Sequence, residues 1–254
     1  MFTFLFKNTN LFTILTKFLI IILPFYVIIK VYLDKILGMG FLGFFIKEFI
    51  IILLFLSLIY EYFFNKKNKE IKLKFNLIDY CIFIFIGYGI IITLINGLGV
   101  NNIFFGGRYD FLGFIVFLIY KYGNSFLKVK TKELIKLFMI SAGVSLFLGI
   151  IVKFILGEEI LTLFGFSFEV AQFGFGGGIP IYQGVEASGI RRFQGILDSP
   201  LAMGYFLILF TGLFSYLNRK NIDFAVIFGL IILFSLIFIT YSRAAMLGII
   251  FCFF

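Results

Sequence analysis

Two adjacent arginines, Arg191 and Arg192, are the residues in this sequence best suited to chemistry. They sit in the segment Ser188-Gly-Ile-Arg-Arg-Phe-Gln-Gly-Ile-Leu-Asp-Ser-Pro-Leu-Ala-Met-Gly204, a polar stretch that runs straight into an apolar helix. A guanidinium is a planar fork of donors that matches phosphate oxygens two at a time. The flanking glycines let another group approach the backbone closely. The chemistry such a segment suits is the gripping of a lipid-linked phosphate at a membrane surface. The competing reading is an interfacial loop whose arginines snorkel to water.

Other chemistries lack their residues. The chain has no His and two Cys, so the commonest general base and metal ligand is missing. Cys81 and Cys252 lie in apolar runs and read as small packing residues, neither a disulfide nor a metal site. Gly174-Phe-Gly-Gly-Gly178 is followed by Ile179 where a dinucleotide fingerprint needs its third glycine. No Walker sequence occurs, and Ser242 has no His to activate it. The expectation is no cofactor and no metal.

The elements that position the arginines are membrane spans. Hydrophobic residues make up 62% of the 254 and charged residues 14%, with a mean hydropathy of +1.12. A soluble domain carries about a quarter charged residues. The composition predicts an all-α, polytopic helical membrane protein. About seven full spans are expected, at 11–29, 41–64, 77–95, 111–122, 137–156, 201–217 and 222–240. The last apolar run, 244–254, rises only about 16 Å at 1.5 Å per residue, half of a ~30 Å hydrocarbon core. The chain therefore reads as a single transmembrane domain, 1–254, with a partial eighth span and an incomplete C-terminal end. Lys47 and Glu48 lie in the second span. As sequence neighbours they are expected to point to different faces and not to pair. Lys47 is near enough to the helix start to snorkel, and Glu48 is the one charged group placed for a path through the membrane.

Orientation follows from the basic residues. Lys66, Lys67, Lys69, Lys72 and Lys74 fill the loop after the second span. Lys121, Lys128, Lys130, Lys132 and Lys136 follow the fourth, and Arg219 with Lys220 the sixth. These loops are expected to face the cytoplasm, with the N-terminus. The net charge of +9 is then a topology signal rather than a nucleic-acid one. The turns at 97–110, 157–200 and 241–243 face outward, with 157–200 a long aromatic-rich loop. Four of the five arginines, Arg108, Arg191, Arg192 and Arg243, fall on the outer side, against the positive-inside bias. A diphosphate in the outer headgroup layer is the simplest partner. Outer carboxylates such as Glu158, Glu186 or Asp198 are the alternative.

Two motifs also carry a resemblance. Arg192-Phe-Gln-Gly195 followed by Asp198-Ser-Pro200 resembles the R-x-x-G…(N/S)-P segment of the O-antigen ligase and polymerase superfamily. Thr240-Tyr-Ser-Arg243 is similar to that family's T-x-S-R, and Gly106-Gly-Arg-Tyr-Asp110 to a further arginine seen in some relatives. The resemblance covers about residues 80–254. It implies a glycosyltransferase in the bacterial inner membrane that moves a glycan from an undecaprenyl-diphosphate carrier to an acceptor at the outer face. It implies that arginines hold the diphosphate, with no nucleotide sugar, metal or nucleic acid involved, and leaves ligation and polymerisation both open. In the family a later outer loop supplies a His that activates the acceptor hydroxyl. This chain has no His and is expected to end before that loop. Two other classes stay open: a transporter or flippase of an anionic lipid or solute, and a non-catalytic membrane scaffold.

The topology is testable directly. With single cysteines placed by Ser188→Cys or Asn68→Cys, an impermeant thiol reagent added from outside is expected to label position 188 and leave 68 untouched. The reverse pattern would overturn the orientation.

Overall fold

The structure, a computed structural model, describes residues 10–64, 75–97, 99, 103, 106–107, 110–126, 130–167, 181 and 192–253. Its elements are α1 (Leu11–Ile22), a 3-10 turn (Leu23–Phe25), α2 (Tyr26–Lys35), α3 (Gly40–Phe64), α4 (Leu77–Ile95), α5 (Leu112–Gly123) and α6 (Thr131–Ile151). A π turn (Val152–Leu156) and a 3-10 helix (Glu158–Phe164) follow, then α7 (Pro200–Asn218), α8 (Phe224–Ile239) and α9 (Arg243–Phe253). No β-strand occurs among the described residues, so the class is all-α. Four stretches, Leu11–Lys35, Leu77–Ile95, Thr131–Leu156 and Pro200–Asn218, are long and apolar enough to cross a membrane, and Leu112–Gly123 and Phe224–Ile239 are shorter apolar helices. The chain is a multi-pass membrane protein. Many large apolar side chains, such as Phe63, Ile84 and Phe224, are exposed on these helices, as lipid-facing residues must be.

The residues group into two compact units, 1–16 with 49–129 and 17–48 with 130–254. In the first unit, one carboxylate ties the start of α4 to the end of α5. Asn76 and Asp79 form a reciprocal cap: Asn76 Oδ1 accepts from Asp79 N at 3.1 Å and Asp79 Oδ2 from Asn76 N at 2.9 Å. Lys121 Nζ bonds both oxygens of the same carboxylate, and Tyr122 Oη donates to Oδ2 at 2.6 Å. Asp79 is fully buried, and this set of partners is what a buried carboxylate requires. Phe12 packs on Gly123 so tightly that no Cβ would fit there. Cys81 lies exposed on α4 instead of packing inside the unit.

The second unit is organised by α6. Pro24 lacks an N–H and its ring disrupts the turn before it, so the first span breaks into α1, a 3-10 turn and α2. In hydrocarbon the freed carbonyls need donors. Ser141 Oγ donates to Ile21 O at 2.8 Å and Ser145 Oγ to Pro24 O at 3.0 Å. The two serines are four residues apart and share one face of α6. The first span thus continues past the expected 29 to Lys35, interrupted by a 3-10 turn at the proline rather than ended there.

One expectation fails here. Lys47 and Glu48 do pair, with Lys47 Nζ 3.8 Å from Glu48 Oε1, and Lys47 also lies over the Tyr26 ring at 5.0 Å. The backbone directions of i and i+1 diverge, but the four-carbon lysine stem is long enough to fold the ammonium back.

Ser141→Ala and Ser145→Ala each remove one donor to a broken-helix carbonyl. Each is expected to lower the unfolding free energy in detergent by about 0.6 kcal/mol, up to about 1.7, the range for hydrogen bonds between membrane helices. Thermal unfolding of the two single variants and the double variant checks this.

Candidate functional site

The two motifs read from the sequence meet in the second unit. The 192–197 segment is pinned at successive points along its backbone. Phe193 N donates to Ile239 O at 3.0 Å, which joins the first motif to the residue just before Thr240. The Phe193 ring is fully buried, in a cluster with Ala142, Leu146, Leu197, Met203 and Leu236. The turn closes on itself, with Gln194 Nε2 donating to Leu197 O at 2.8 Å and Leu197 N to Gln194 O at 3.3 Å. Gly195 has φ +61, a left-handed conformation that suits glycine. Its Cα also lies against α6, where a Cβ on Gly149 would come within 3.0 Å of it.

Both motifs end in a capped helix N-terminus. Ser199 Oγ accepts from Ala202 N at 3.1 Å, and Pro200 occupies the first turn of α7, where its missing N–H costs nothing. Ser242 Oγ accepts from Ala245 N at 3.2 Å and Ser242 O from Met246 N at 3.0 Å, which starts α9 at Arg243. The turn from α8 into α9 is very short. Thr240 Oγ1 donates to Ile237 O at 2.7 Å and accepts from Ser242 N at 3.3 Å. Tyr241, at φ 51, is the one non-glycine residue with positive φ among the described residues. Such a conformation costs on the order of 1–3 kcal/mol and persists where neighbours over-determine it. Helix α7 lies directly on α9: a Cβ on Gly204 would be 2.6 Å from Ala245 Cβ and 3.3 Å from Ser242 Cβ.

Arg192 is half-buried, with its Nε enclosed and without a hydrogen-bond partner among the described residues. Arg243 is exposed at the first position of α9. Among the described residues, neither arginine has a carboxylate within ion-pair distance. Asp198 is exposed. Glu158, weighed above as a partner for these arginines, is bound by Lys153, with Nζ 2.8 Å from Oε1. Arg108, Arg191, Glu186 and Gly174–Gly178 lie outside the described residues.

Lys153 is the site residue that the sequence reading passed over, and its pairing with Glu158 was not expected. Lys153 Nζ also reaches Arg192 O at 3.4 Å. The available signal was a lysine inside the fifth apolar run, at the end remote from the lysine-rich loop, with a glutamate five residues on. Among the described residues no three His, Cys, Asp or Glu side chains cluster as a metal site would need.

Comparison with family models, with curated proteins and with solved structures gave no match to this chain.

The α7–α9 contact gives a reciprocal test. Gly204→Ala is expected to destabilise the protein by about 1–3 kcal/mol, as overpacking does. Ala245→Gly added to it should recover most of that loss, because it removes the atom the new methyl meets. Thermal unfolding of the single and double variants in detergent reads the coupling.

Proposed function

We propose that this protein is an envelope glycosyltransferase of the O-antigen ligase and polymerase kind. It moves a glycan from an undecaprenyl-diphosphate carrier to an acceptor at the outer face of the bacterial inner membrane. The observation that carries the reading is the meeting of 192–200 with 240–243: Phe193 N bonds Ile239 O, and α7 seats on α9 at Gly204 and Ser242. Two helices separate these motifs in the sequence, yet each brings an arginine and a serine-capped helix N-terminus to one packed unit. Helix N-termini carry partial positive charge and unsatisfied N–H groups, and both favour anions.

In this reading the bond between the anomeric carbon and a diphosphate oxygen breaks, and the diphosphate leaves with the electron pair. The acceptor oxygen bonds the anomeric carbon, and its proton passes to the departing diphosphate. Arg192 and Arg243 stabilise the charge growing on the leaving oxygen, with Arg191 and Arg108 as further contributors on sequence grounds. Fixed donors in a water-poor site favour that charge most in the transition state, where it is largest. The lysine-rich loops support a cytoplasmic N-terminus and an outward 157–200 segment, within a reading of about seven spans. Pairing of Glu48 with Lys47 weighs against a transport path through that carboxylate.

Arg243→Lys and Arg192→Lys, in cells expressing the whole gene, should insert and accumulate normally. Each should lose about 100-fold in transfer from a lipid-diphosphate glycan donor, the scale of losing one preorganised donor. A simple ion pair tolerates lysine, whereas a bidentate clamp does not. Near-wild-type transfer by both variants would remove the diphosphate assignment.

A further inference from the structure

Resting on that reading, we infer that Lys153 and Glu158 form a positioning pair that sets Arg192 for the donor diphosphate. Lys153 Nζ donates to Glu158 Oε1 at 2.8 Å and reaches the Arg192 carbonyl at 3.4 Å. The first is a short charge-assisted bond; the second is longer than the usual range of about 2.7–3.2 Å and is the weaker of the two. The carboxylate thus aims the ammonium, and the ammonium holds the backbone of residue 192.

Local structure explains why the pair forms. The residues stand five apart, a separation that does not share a face of an α-helix. The chain is π-helical over Val152–Leu156, where bonds close between i and i+5. Gly157, at φ 83, then turns the chain so that Glu158 comes back over Lys153. π turns inside helices occur frequently at functional sites. Glu158 is 6% exposed, and its charge is tolerated there because Lys153 answers it.

The segment is gripped twice, by α6 and by the π turn that follows it. Lys153 follows Gly149 by four residues, and Gly149 is where Gly195 touches α6. The 192–197 turn is held at its first residue by an ammonium and at its fourth by close backbone contact. What remains is the Arg192 side chain, whose Nε is buried and without an acceptor among the described residues. A buried donor left unmade is costly, and an anionic oxygen would satisfy it. Lys153 is a positioning residue here: its bonds go to protein, and its effect on the donor passes through Arg192.

The test has two arms, in a Cys81→Ser, Cys252→Ser background reconstituted in lipid nanodiscs. In the first, Arg192→Cys reports the order of the segment by its rate of thiol labelling. Adding Lys153→Met or Glu158→Gln should raise that rate about tenfold, the equivalent of one charge-assisted hydrogen bond. In the second, with Arg192 intact, the same substitutions should lower kcat for transfer from an undecaprenyl-diphosphate glycan donor about tenfold while KM changes little. Lys153→Arg, which can bridge both acceptors, should restore kcat. A merely structural pair would instead lower thermal stability with kcat and labelling unchanged, and that result overturns the inference. If the wild-type protein shows no transfer, the functional reading falls. The labelling arm still decides whether the pair orders residue 192.

Discussion

In a bilayer every buried backbone polar group must find its partner within the protein, and one face of α6 meets that demand for much of the second unit. Proline breaks the first span, and Ser141 and Ser145 supply donors to the exposed carbonyls of Ile21 and Pro24. The same face continues at Gly149, and Lys153 in the π turn that follows α6 joins it in holding the 192–197 turn. A serine, a serine, a glycine and a lysine therefore fix one broken helix and one irregular loop to a single rod. Irregular backbone at membrane depth is tolerated only where it is enclosed in this way. The small side chains also let neighbouring backbones approach, the usual basis of helix association in lipid.

The letters of the two arginine motifs have separate physical reasons. In 192–200, phenylalanine anchors the core, glycine supplies the left-handed turn and close contact with α6, serine caps α7, and proline fits its first turn. In 240–243, threonine closes α8 and also accepts from Ser242 N, while serine caps α9. Each of those residues is used up by folding. The arginines are not: nothing in the backbone geometry of either motif calls for a guanidinium. This division separates what builds the turns from what the turns present.

Much of the helical layout was legible because apolar runs and their polar breaks are one-dimensional signals. The boundaries at 77–95 coincide with α4, whose Asn76 and Asp79 cap lies where a sequence pattern marks a helix start. The 3-10 turn at Pro24 was not read, because hydropathy alone cannot tell an unbroken span from one whose carbonyls are rescued by serines more than a hundred residues away. The Lys47–Glu48 pair was missed for a related reason: face geometry constrains Cβ positions, and a long lysine escapes it. The joining of 192–200 with 240–243 could be suspected from motif type alone, but the contact through Gly204 and Ala245 has no sequence signal. Lys153 drew no reading from the sequence, since its partners become visible only when the π turn and Gly157 are in place.

Charge accounting gives the assembled unit a definite sign. Lys153 and Glu158 cancel one another within 2.8 Å, so the pair can sit buried and contribute order without adding net charge. Arg192 and Arg243 have no carboxylate answering them among the described residues, and the N-terminal ends of α7 and α9 add partial positive charge of the same sign. Basic charge held near hydrocarbon is costly when unanswered, and for Arg243, at the first position of α9, the positive end of the helix adds to that cost. The arrangement is stable to the extent that an anion shares it. A lipid-linked diphosphate would supply both the charge and the oxygen geometry that arginine matches and lysine does not. On the proposed reading, the neutral pair keeps the arginine in place and the unanswered arginines do the binding.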